Sequence, residues 1–357
     1  MTPNTTIAAT TTTTVAPRQP ALVQGLSALS FADASSGWRI DPVEYDAIER
    51  TTDGGRTWVK QQPIPRNGTS LNGVLAIDAQ HAFALVYSGR DDLIGTLERA
   101  ADGTHWSATR GRGLPASLAG VSFADRVHAW GLTEFGDLVT TADGGDTWRP
   151  MRSPVHDTVA GSVCLAAPGV GWAATASAVY RSDDDGSTWR EQARIPVRGD
   201  GPELVCRGPH VAFASFGAGA GQHIGAFLRS DDGGAHWRPL TEDRVPGSPA
   251  ITAPGFPESQ ERGYPVVMLH DGTLVFAAGC YACGLGQSWL VVASPTDHFV
   301  VTKFDASDLQ SDFVAAAAAD ARRLYVEIQS ISADGSGPRP VTLYASVDGG
   351  VSWRARG

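Results

Sequence analysis

Residues 51–58 read Thr-Thr-Asp-Gly-Gly-Arg-Thr-Trp, and the chain returns to this pattern at intervals along its whole length. The shared form is Ser/Thr-x-Asp-x-Gly-x-x-Trp. The Asp carboxylate can accept backbone N–H groups of its own turn, and glycine readily adopts the positive φ that a tight turn needs. The tryptophan opens the returning strand and supplies a large apolar face. The pattern therefore predicts one type of hairpin turn that recurs along an all-β chain.

Five copies of the pattern are complete, and one copy is a residue short. The Asp and Trp pairs are Asp53 and Trp58, Asp102 and Trp106 (the short copy), Asp143 and Trp148, Asp184 and Trp189, Asp232 and Trp237, and Asp348 and Trp353. A wide gap separates the last two tryptophans. Segment 293–299 in that gap retains the remains of a further copy, so we expect seven turns.

A second signature, a short turn followed by an aromatic residue, gives the same count. It places Trp38, Phe83, Trp130, Trp172, Phe213, Phe276 and Tyr325 at corresponding positions. Each repeat of roughly forty residues contains four short runs of β-branched and aromatic residues, which is typical of a propeller blade. We predict a seven-bladed β-propeller of four-stranded blades over 21–357, with the repeated turn between strands 3 and 4. Residues 1–20, rich in Thr and Pro, are predicted to form a flexible linker.

The spacing from the aromatic signature to the repeated turn varies among blades. The extra residues fall between the second and third strands of blades 2, 5, 6 and 7, at 88–94, 216–223, 280–287 and 332–340, and the longest insertion is 243–262. In a four-stranded meander these connections share one face, here called the loop-rich face, and the repeated turns lie on the other, the turn face. Function is expected on the loop-rich face.

Composition restricts the class of partner and the compartment. The 357 residues carry a formal net charge of −10, which argues against nucleic acid as the main partner. No apolar run is long enough to span a membrane, so direct insertion is not expected. The even number of cysteines suits an oxidising compartment.

The four cysteines form two candidate pairs. Cys164 and Cys206 precede the aromatic signatures of blades 4 and 5 by nearly equal distances, so they would lie at the same height on neighbouring inner strands. A disulfide between them is therefore predicted, with a second bridge, Cys280–Cys283, closing its own loop. Free buried thiols are the alternative.

The repeated turns resemble the Asp-box, or bacterial neuraminidase repeat, of sialidases, xyloglucanases, sortilin-type receptors and photosystem II assembly factors. The sequence Phe31-Ala32-Asp33, followed by Gly37-Trp38 and then by residues 52–58, is most similar to the last group. The resemblance covers about residues 25–357 and implies a seven-bladed propeller. These relatives include hydrolases and binding proteins, so the resemblance implies no single function.

Candidate site residues follow from the chemistry that each class of relative would need. A glycosidase needs two carboxylates that face each other. The candidates are Asp91, Asp92, Glu134, Asp157 and Asp200, with Asp41, Glu44 and Asp308 on the same face. For ligand binding we expect Arg90, His223 and Tyr281 as anchors. The arginines that precede the repeated turns, Arg50, Arg99, Arg181 and Arg229, are expected to be structural. Histidines and cysteines show no ligand spacing, so neither a metal nor a cofactor is expected.

The function predicted from the sequence is non-catalytic. We expect a secreted, periplasmic or surface-tethered monomer that recognises a protein or glycan through its loop-rich face. One alternative is a glycoside hydrolase, sialidase-like or xyloglucanase-like, whose acids converge on the central pocket. The other is an assembly or stability factor for a membrane complex.

Overall fold

The computed structural model describes residues 27–63, 70–88, 94–154, 161–175, 177–194, 200–216, 224–242, 251–254, 264–269, 271–279, 288–304, 309–332 and 340–356. Within these ranges the chain forms seven antiparallel sheets, and in each sheet every strand pairs with its neighbours in sequence. The predicted all-β, seven-bladed β-propeller is confirmed. The described residues contain no helix that is long and apolar enough to cross a membrane.

Each blade is a continuous piece of chain. The strands of blades 1 to 3 are Leu29–Phe31, Gly37–Ile40, Ala47–Thr51 and Val59–Pro63; Ser70–Ala76, Ala82–Ser88, Ile94–Ala100 and Trp106–Ala108; Leu118–Phe123, Ala129–Thr133, Leu138–Thr141 and Arg149–Pro150. Those of blades 4 and 5 are Ser162–Ala167, Val170–Ala174, Ala178–Ser182 and Arg190–Arg194; Asp200–Arg207, His210–Phe216, Ile224–Ser230, Arg238–Glu242 and Ile251–Thr252. Those of blades 6 and 7 are Tyr264–Met268, Leu274–Gly279, Ser288–Ala293 and Phe299–Lys303; Leu309–Ala318, Leu324–Ser332, Val341–Ser346 and Arg354–Arg356. The fifth strand of blade 5, within the predicted long insertion, extends that sheet at its outer edge.

The first strand of each blade lies innermost, against the first strands of its neighbours. Serine hydroxyls connect these strands by accepting backbone N–H groups of the next blade. Ser30 accepts from Ala76 at 3.0 Å, Ser122 from Leu165 at 3.0 Å and Ser162 from Leu204 at 3.1 Å. These bonds satisfy backbone donors that have no further strand to pair with.

One covalent bond joins two of the inner strands. Cys164 of blade 4 and Cys206 of blade 5 form a disulfide with their Cα atoms 6.0 Å apart. The prediction made from equal spacing is confirmed, because equivalent positions on adjacent inner strands do lie at the same height. The second predicted pair, Cys280 and Cys283, lies outside the described residues and stays a prediction.

The aromatic signature forms the core between the blades. All seven residues lie in the second strand of a blade, at its second, third or fourth position, and all are buried. Trp38, Trp130 and Trp172 are among the largest fully buried side chains, whereas among the tryptophans of the repeated turns only Trp148 is buried. The apolar face that the pattern supplies is therefore only half covered in most blades, and the second-strand aromatics bury more surface.

The repeated turns share one hydrogen-bond arrangement. In blade 1 the hydroxyl of Thr51 donates to Asp53 at 2.8 Å and accepts the N–H of Gly55 at 2.9 Å. The Asp53 carboxylate also accepts the N–H of Arg56 at 3.0 Å and the N–H and hydroxyl of Thr57 at 2.9 and 2.7 Å. The contacts of the Thr51 and Thr57 type recur in the turns of blades 3, 4, 5 and 7, where in blade 5 the ring of His236 takes the place of the second hydroxyl. They lower the pKa of Asp53 to about 2, the N–H and hydroxyl of Thr57 contributing most.

The arginines that precede these turns reach the next blade. Arg50 donates to the carbonyl of Gly103 in blade 2, Arg181 to that of Gly233 in blade 5, and Arg229 to that of Ser294 in blade 6. Arg50 and Arg181 also stack over the buried second-strand tryptophans of their own blades. Arg99 pairs with Asp146 of the next blade at 3.2 Å. These contacts between neighbouring blades support the structural role predicted for the four arginines.

In blade 3, Thr140 occupies the position that an arginine takes before the turns of blades 1, 2, 4 and 5. The turn of blade 4, which contacts Thr140, is also changed. Asp185 replaces a glycine there and adopts a left-handed φ of 56°. Its carboxylate accepts the indole N–H of Trp130 at 2.9 Å and the hydroxyl of Thr140 at 3.0 Å. Asp tolerates this backbone conformation better than most residues do, and here it supplies the acceptor that a buried indole needs.

Replacing Asp185 with Gly is expected to lower the free energy of unfolding by about 1–3 kcal/mol, because the buried indole N–H of Trp130 loses its acceptor. Relief of the left-handed backbone strain offsets only part of that loss. Asp185→Asn is the control, since it keeps an acceptor oxygen and the backbone tolerance. Urea unfolding of both variants measures the difference, and equal loss in Gly and Asn would contradict this explanation.

The ring closes between blades 7 and 1 without a shared strand in the described chain. Phe31 stacks on Tyr325 with ring centroids 3.8 Å apart, and the Tyr325 hydroxyl donates to the carbonyl of Ala34 at 3.0 Å. Closure therefore depends on side-chain packing and hydrogen bonds.

A charged bridge lies at the same junction. Arg39 of blade 1 bonds Glu49 of its own blade at 2.8 Å and Glu327 of blade 7 at 2.9 Å. Glu327 is fully buried, and its second carboxylate oxygen has no hydrogen-bond partner among the described residues. Burial raises the pKa of Glu327 to about 7, although Arg39 opposes the rise.

Candidate functional site

The strand boundaries place the predicted insertions on the loop-rich face. Segments 89–93, 217–223, 280–287 and 333–340 each connect the second and third strands of a blade, and 243–263 leads from blade 5 to blade 6. Of the predicted site residues, Arg90, Asp91, Asp92, Asp157, His223, Tyr281 and Asp308 lie outside the described residues and stay predictions. Asp200 begins the first strand of blade 5, opposite Phe216.

The connection between the second and third strands of blade 1 is built around Asp41. We call residues 41–46 the blade-1 tip. One oxygen of Asp41 accepts the N–H groups of Val43 at 2.9 Å and Glu44 at 3.1 Å, and its carbonyl accepts the N–H of Tyr45 at 3.1 Å. Pro42 fits this turn because its ring already restricts φ. The tip is therefore held in one shape by local hydrogen bonds.

Lys60 anchors the blade-1 tip from the fourth strand. Its ammonium group contacts the second oxygen of Asp41 at 2.7 Å and Asp46 at 2.9 Å. Partial burial acts to raise the pKa of Asp41, but the bonds from Lys60 and the tip N–H groups outweigh it and hold the pKa below its usual value. Asp41 is thus occupied in shaping the tip.

Tyr45 at the end of this tip combines strain with exposure. Its φ is 53°, in the left-handed region that bulky residues seldom occupy, and its side chain is 56% exposed. Val43 beside it is 64% exposed. The strain costs on the order of 1 kcal/mol, and the hydrogen bonds and ion pairs of the tip offset it.

A second tip of similar character lies on blade 3. The blade-3 tip, residues 133–137, is closed by the Thr133 N–H, which donates to the Asp137 carbonyl at 2.9 Å, and by the Asp137 N–H, which donates to the Thr133 hydroxyl at 3.0 Å. The N–H of Glu134 donates to the carbonyl of Ser117 in the preceding connection at 2.9 Å. Phe135 projects from this turn and is 70% exposed.

The two tips share a pattern that the repeats do not require. Each has a Glu followed by an aromatic residue, Glu44-Tyr45 and Glu134-Phe135. Tyr45 and Phe135 are also the two aromatic members of the strongly exposed apolar side chains in the described chain. The turn face exposes valines instead, for example Val347 and Val351. The loop-rich face therefore carries the two most exposed aromatic rings of the described chain, whereas the tryptophans of the turn face are buried or half-buried.

Neither ring belongs to the anchors predicted from the sequence. Phe135 could have been recognised, because an aromatic residue stands in the sequence Glu-Phe-Gly-Asp, where a solvent-exposed turn is expected. Tyr45 and Lys60 could not, since the left-handed conformation and the ion pair that supports it depend on how the fourth strand folds back.

The described acids considered for glycosidase chemistry belong to three blades. Asp41 and Glu44 share the blade-1 tip, Glu134 lies in the blade-3 tip, and Asp200 begins the first strand of blade 5. A glycosidase needs two carboxylates within roughly 10 Å of each other, and such a pair among these acids stays a prediction. Among the described residues, no three His, Cys, Asp or Glu side chains are grouped as metal ligands.

One further acid lies on an inner strand. Glu203 lies in the first strand of blade 5. The residue before it, Pro202, packs against blade 4, and Val205, on the same strand face as Glu203, packs toward blade 6. Glu203 makes no hydrogen bond or ion pair within the described chain. Its side chain keeps some contact with solvent, but protein surrounds the carboxyl, and burial raises its pKa to about 8.

Glu203 is expected to make the protein less stable as pH rises. A carboxyl that titrates at about 8 when folded and near its model value of 4.5 when unfolded binds more protons in the folded state between those values. Its stabilising contribution is complete at the lower pH and is lost through pH 8. The free energy of unfolding of Glu203→Gln should therefore match that of the wild type at pH 4.5 and exceed it at pH 8.5 by about 2 kcal/mol, a figure discounted because the side chain keeps some contact with solvent.

Unfolding in guanidinium at the two pH values measures this difference. Glu327 also makes the free energy of unfolding fall as pH rises to about 7, but it is present in both proteins, so its effect cancels in the comparison. A Gln variant that stays equal to the wild type at pH 8.5 would show that Glu203 titrates normally.

Comparison with solved structures agrees with this architecture. No family model and no curated protein matches the sequence. YCF48 from Cyanidioschyzon merolae is 18% identical, with 83% of this chain and 87% of that chain covered and a TM-score of 0.52. A streptogramin B lyase is 9% identical over 92% of each chain, with a TM-score of 0.53. An ancestral GH74 enzyme is 14% identical, with 94% of this chain and 55% of that chain covered and a TM-score of 0.50.

These three proteins differ in their named activities and share little sequence with this chain. Likeness at such identities extends to the fold and no further. The chain is a seven-bladed β-propeller of four-stranded blades that is similar in architecture to YCF48, to a streptogramin B lyase and to a GH74 enzyme.

Proposed function

We propose that this protein is a non-catalytic recognition propeller that binds a partner protein through its loop-rich face. The observation that supports this most is that the two faces use their side chains differently. On the turn face, the repeated Asp, Ser and Thr side chains are engaged in hydrogen bonds within their own turns. On the loop-rich face, the chain is longer than the strands require, and two rigid tips expose aromatic rings.

Aromatic side chains at fixed positions favour recognition. Tyr and Phe contribute large contact areas to protein interfaces and lose little side-chain entropy on binding. Surface aromatics also lower solubility, so their retention on one face supports an interaction there. The disulfide and the acidic charge are compatible with a protein that works outside the cytosol, and we propose an extracellular or periplasmic location.

Two measurements test this function. The purified protein is first incubated with fluorogenic sialosides, glucosides and galactosides and with xyloglucan oligosaccharides, and we expect no turnover. A random 12-residue peptide library displayed on phage is then selected on the immobilised protein, and bound peptides are mapped by hydrogen–deuterium exchange. Protection should cover the connections between second and third strands. Turnover that disappears when one loop carboxylate is mutated, or protection confined to the repeated turns, would contradict the proposal.

A further inference from the structure

We propose that the blade-1 and blade-3 tips act together as a two-pronged docking site for a basic, partly apolar segment of a partner protein. This inference rests on the proposed function and specifies it, because it names the residues that make contact and the chemistry of the segment they take. The rings of Tyr45 and Phe135 would contact apolar side chains or arginine, and Glu134 beside Phe135, together with the negative charge of the chain, would attract lysine or arginine.

The position of the rings supports a shared role. The other aromatic side chains whose burial is described are buried or half-buried, and the two exposed aromatic rings are on the same face at equivalent connections of blades 1 and 3. Blade 2 lies between them in the ring, so one extended segment could contact both tips. Two separate anchors on one segment increase affinity through effective concentration.

The rigidity of both tips supports binding and argues against chance exposure. Tyr45 is fixed by the Asp41 hydrogen bonds and by Lys60, and its backbone holds a strained conformation in order to project the ring. Phe135 projects from a turn closed at both ends and joined to Ser117. Prearranged side chains bind with a smaller loss of conformational entropy than flexible ones.

The charges specify the partner. Each ring is preceded by a glutamate, and the whole chain carries a net charge of −10. A basic segment is attracted to such a surface and is oriented as it approaches. Arginine fits both features, because its guanidinium can stack on an aromatic face while it pairs with a carboxylate.

Other occupants fit less well. The tips project from the surface, whereas small ligands and sugars are usually held in concave sites. A second copy of this chain that met the same face across a twofold axis would place glutamates opposite glutamates, which costs several kcal/mol. The observations therefore favour a basic polypeptide.

The test uses the phage library and matched variants of the full chain. Tyr45→Asn removes the ring and keeps a residue that tolerates the left-handed backbone, and Phe135→Ala removes the other ring. Val351→Ala is the control, because Val351 is 69% exposed on the turn face. Peptides selected on the wild type are passed over the immobilised Tyr45→Asn/Phe135→Ala variant to remove those that still bind. Circular dichroism and melting curves establish that each variant is folded.

We expect the remaining peptides to be enriched in Lys and Arg next to aliphatic or aromatic residues. Binding of a selected synthetic peptide, followed by fluorescence anisotropy, should weaken about 5- to 30-fold in each single tip variant and remain unchanged in Val351→Ala. Glu44→Gln/Glu134→Gln should slow association and flatten its dependence on salt.

Several outcomes would overturn the inference. Peptides that bind the wild type and the double tip variant equally, yet are mapped to the loop-rich face, would leave the proposed function intact and exclude the tips. Selected peptides rich in Asp and Glu would contradict the charge argument. Binding to a glycan array, or concentration-dependent dimerisation in sedimentation, that is lost in the double variant would identify a glycan or a second copy as the occupant. A selection that yields no binding peptide contradicts both proposals.

Discussion

Arg39→Met is expected to lower the free energy of unfolding by about 3–5 kcal/mol, because it leaves a buried carboxylate at the ring closure without its cation. Arg39 is the only cation that contacts Glu327 in the described chain, and Glu327 is fully buried. The substitution also removes the partner of Glu49. Blades 7 and 1 share no strand in the described chain, so losing this ion pair weakens the junction that holds the first and last blades together.

The cost should grow as pH rises. Glu327 in the folded wild type titrates at about pH 7, above its unfolded value, so it is largely protonated at pH 5.5 and needs little from Arg39 there. At pH 8.5 the Glu327 carboxylate is charged, so the loss of the Arg39 cation has its full effect on the free energy of unfolding. Thermal and guanidinium unfolding at the two pH values measure the difference.

Matched variants separate this charge effect from lost packing. Arg39→Met/Glu327→Gln should recover part of the stability at pH 8.5, because it removes the buried charge together with its partner. Arg56→Met is the control for loss of an arginine from the same blade, because Arg56 is exposed in the repeated turn. We expect it to change the free energy of unfolding by no more than about 0.5 kcal/mol. A cost for Arg39→Met that is the same at both pH values would rule out the buried carboxylate as its cause.

Removing the disulfide is expected to have an effect of similar size. Cys164 and Cys206 are 42 residues apart in sequence, and a crosslink that closes a loop of that length restricts the unfolded chain by about 4 kcal/mol. Cys164→Ala/Cys206→Ala should therefore unfold at a clearly lower guanidinium concentration than the oxidised wild type. The folded state should keep its seven blades, because the Ser162 hydroxyl, which accepts the N–H of Leu204, also joins these two inner strands.

Reduction of the wild type provides the internal control. Wild type and the double alanine variant, both reduced with a phosphine under denaturing conditions and then refolded in the reductant, should match to within about 1 kcal/mol. The single variants Cys164→Ala and Cys206→Ala each retain one thiol of the pair. They show how much of the lost stability comes from side-chain packing and how much from the crosslink. Equal stability of oxidised and reduced wild type would show that the bond does not restrict the unfolded chain.

The fold could be predicted from the sequence because its determinants are local and repeated. The turn around Asp53 closes through hydrogen bonds within seven residues, so its residue types must appear in order along the chain. The buried aromatic residues recur once in each blade for the same reason, and the repeat count follows from either pattern. The Cys164–Cys206 bond was predictable because repetition turns sequence spacing into a position on adjacent strands.

The candidate site depends on contacts that break the repeat. The exposure of Tyr45 depends on Lys60 reaching Asp41 from another strand, and the acidity of Glu327 depends on burial against a blade from the opposite end of the chain. Asp185 takes a glycine position only because Trp130 of the preceding blade needs an acceptor. Repeated local hydrogen bonds therefore specify the seven blades from the sequence alone. Only the folded ring decides which side chains are buried, paired or presented to a partner, because these properties arise between residues that are distant in the chain.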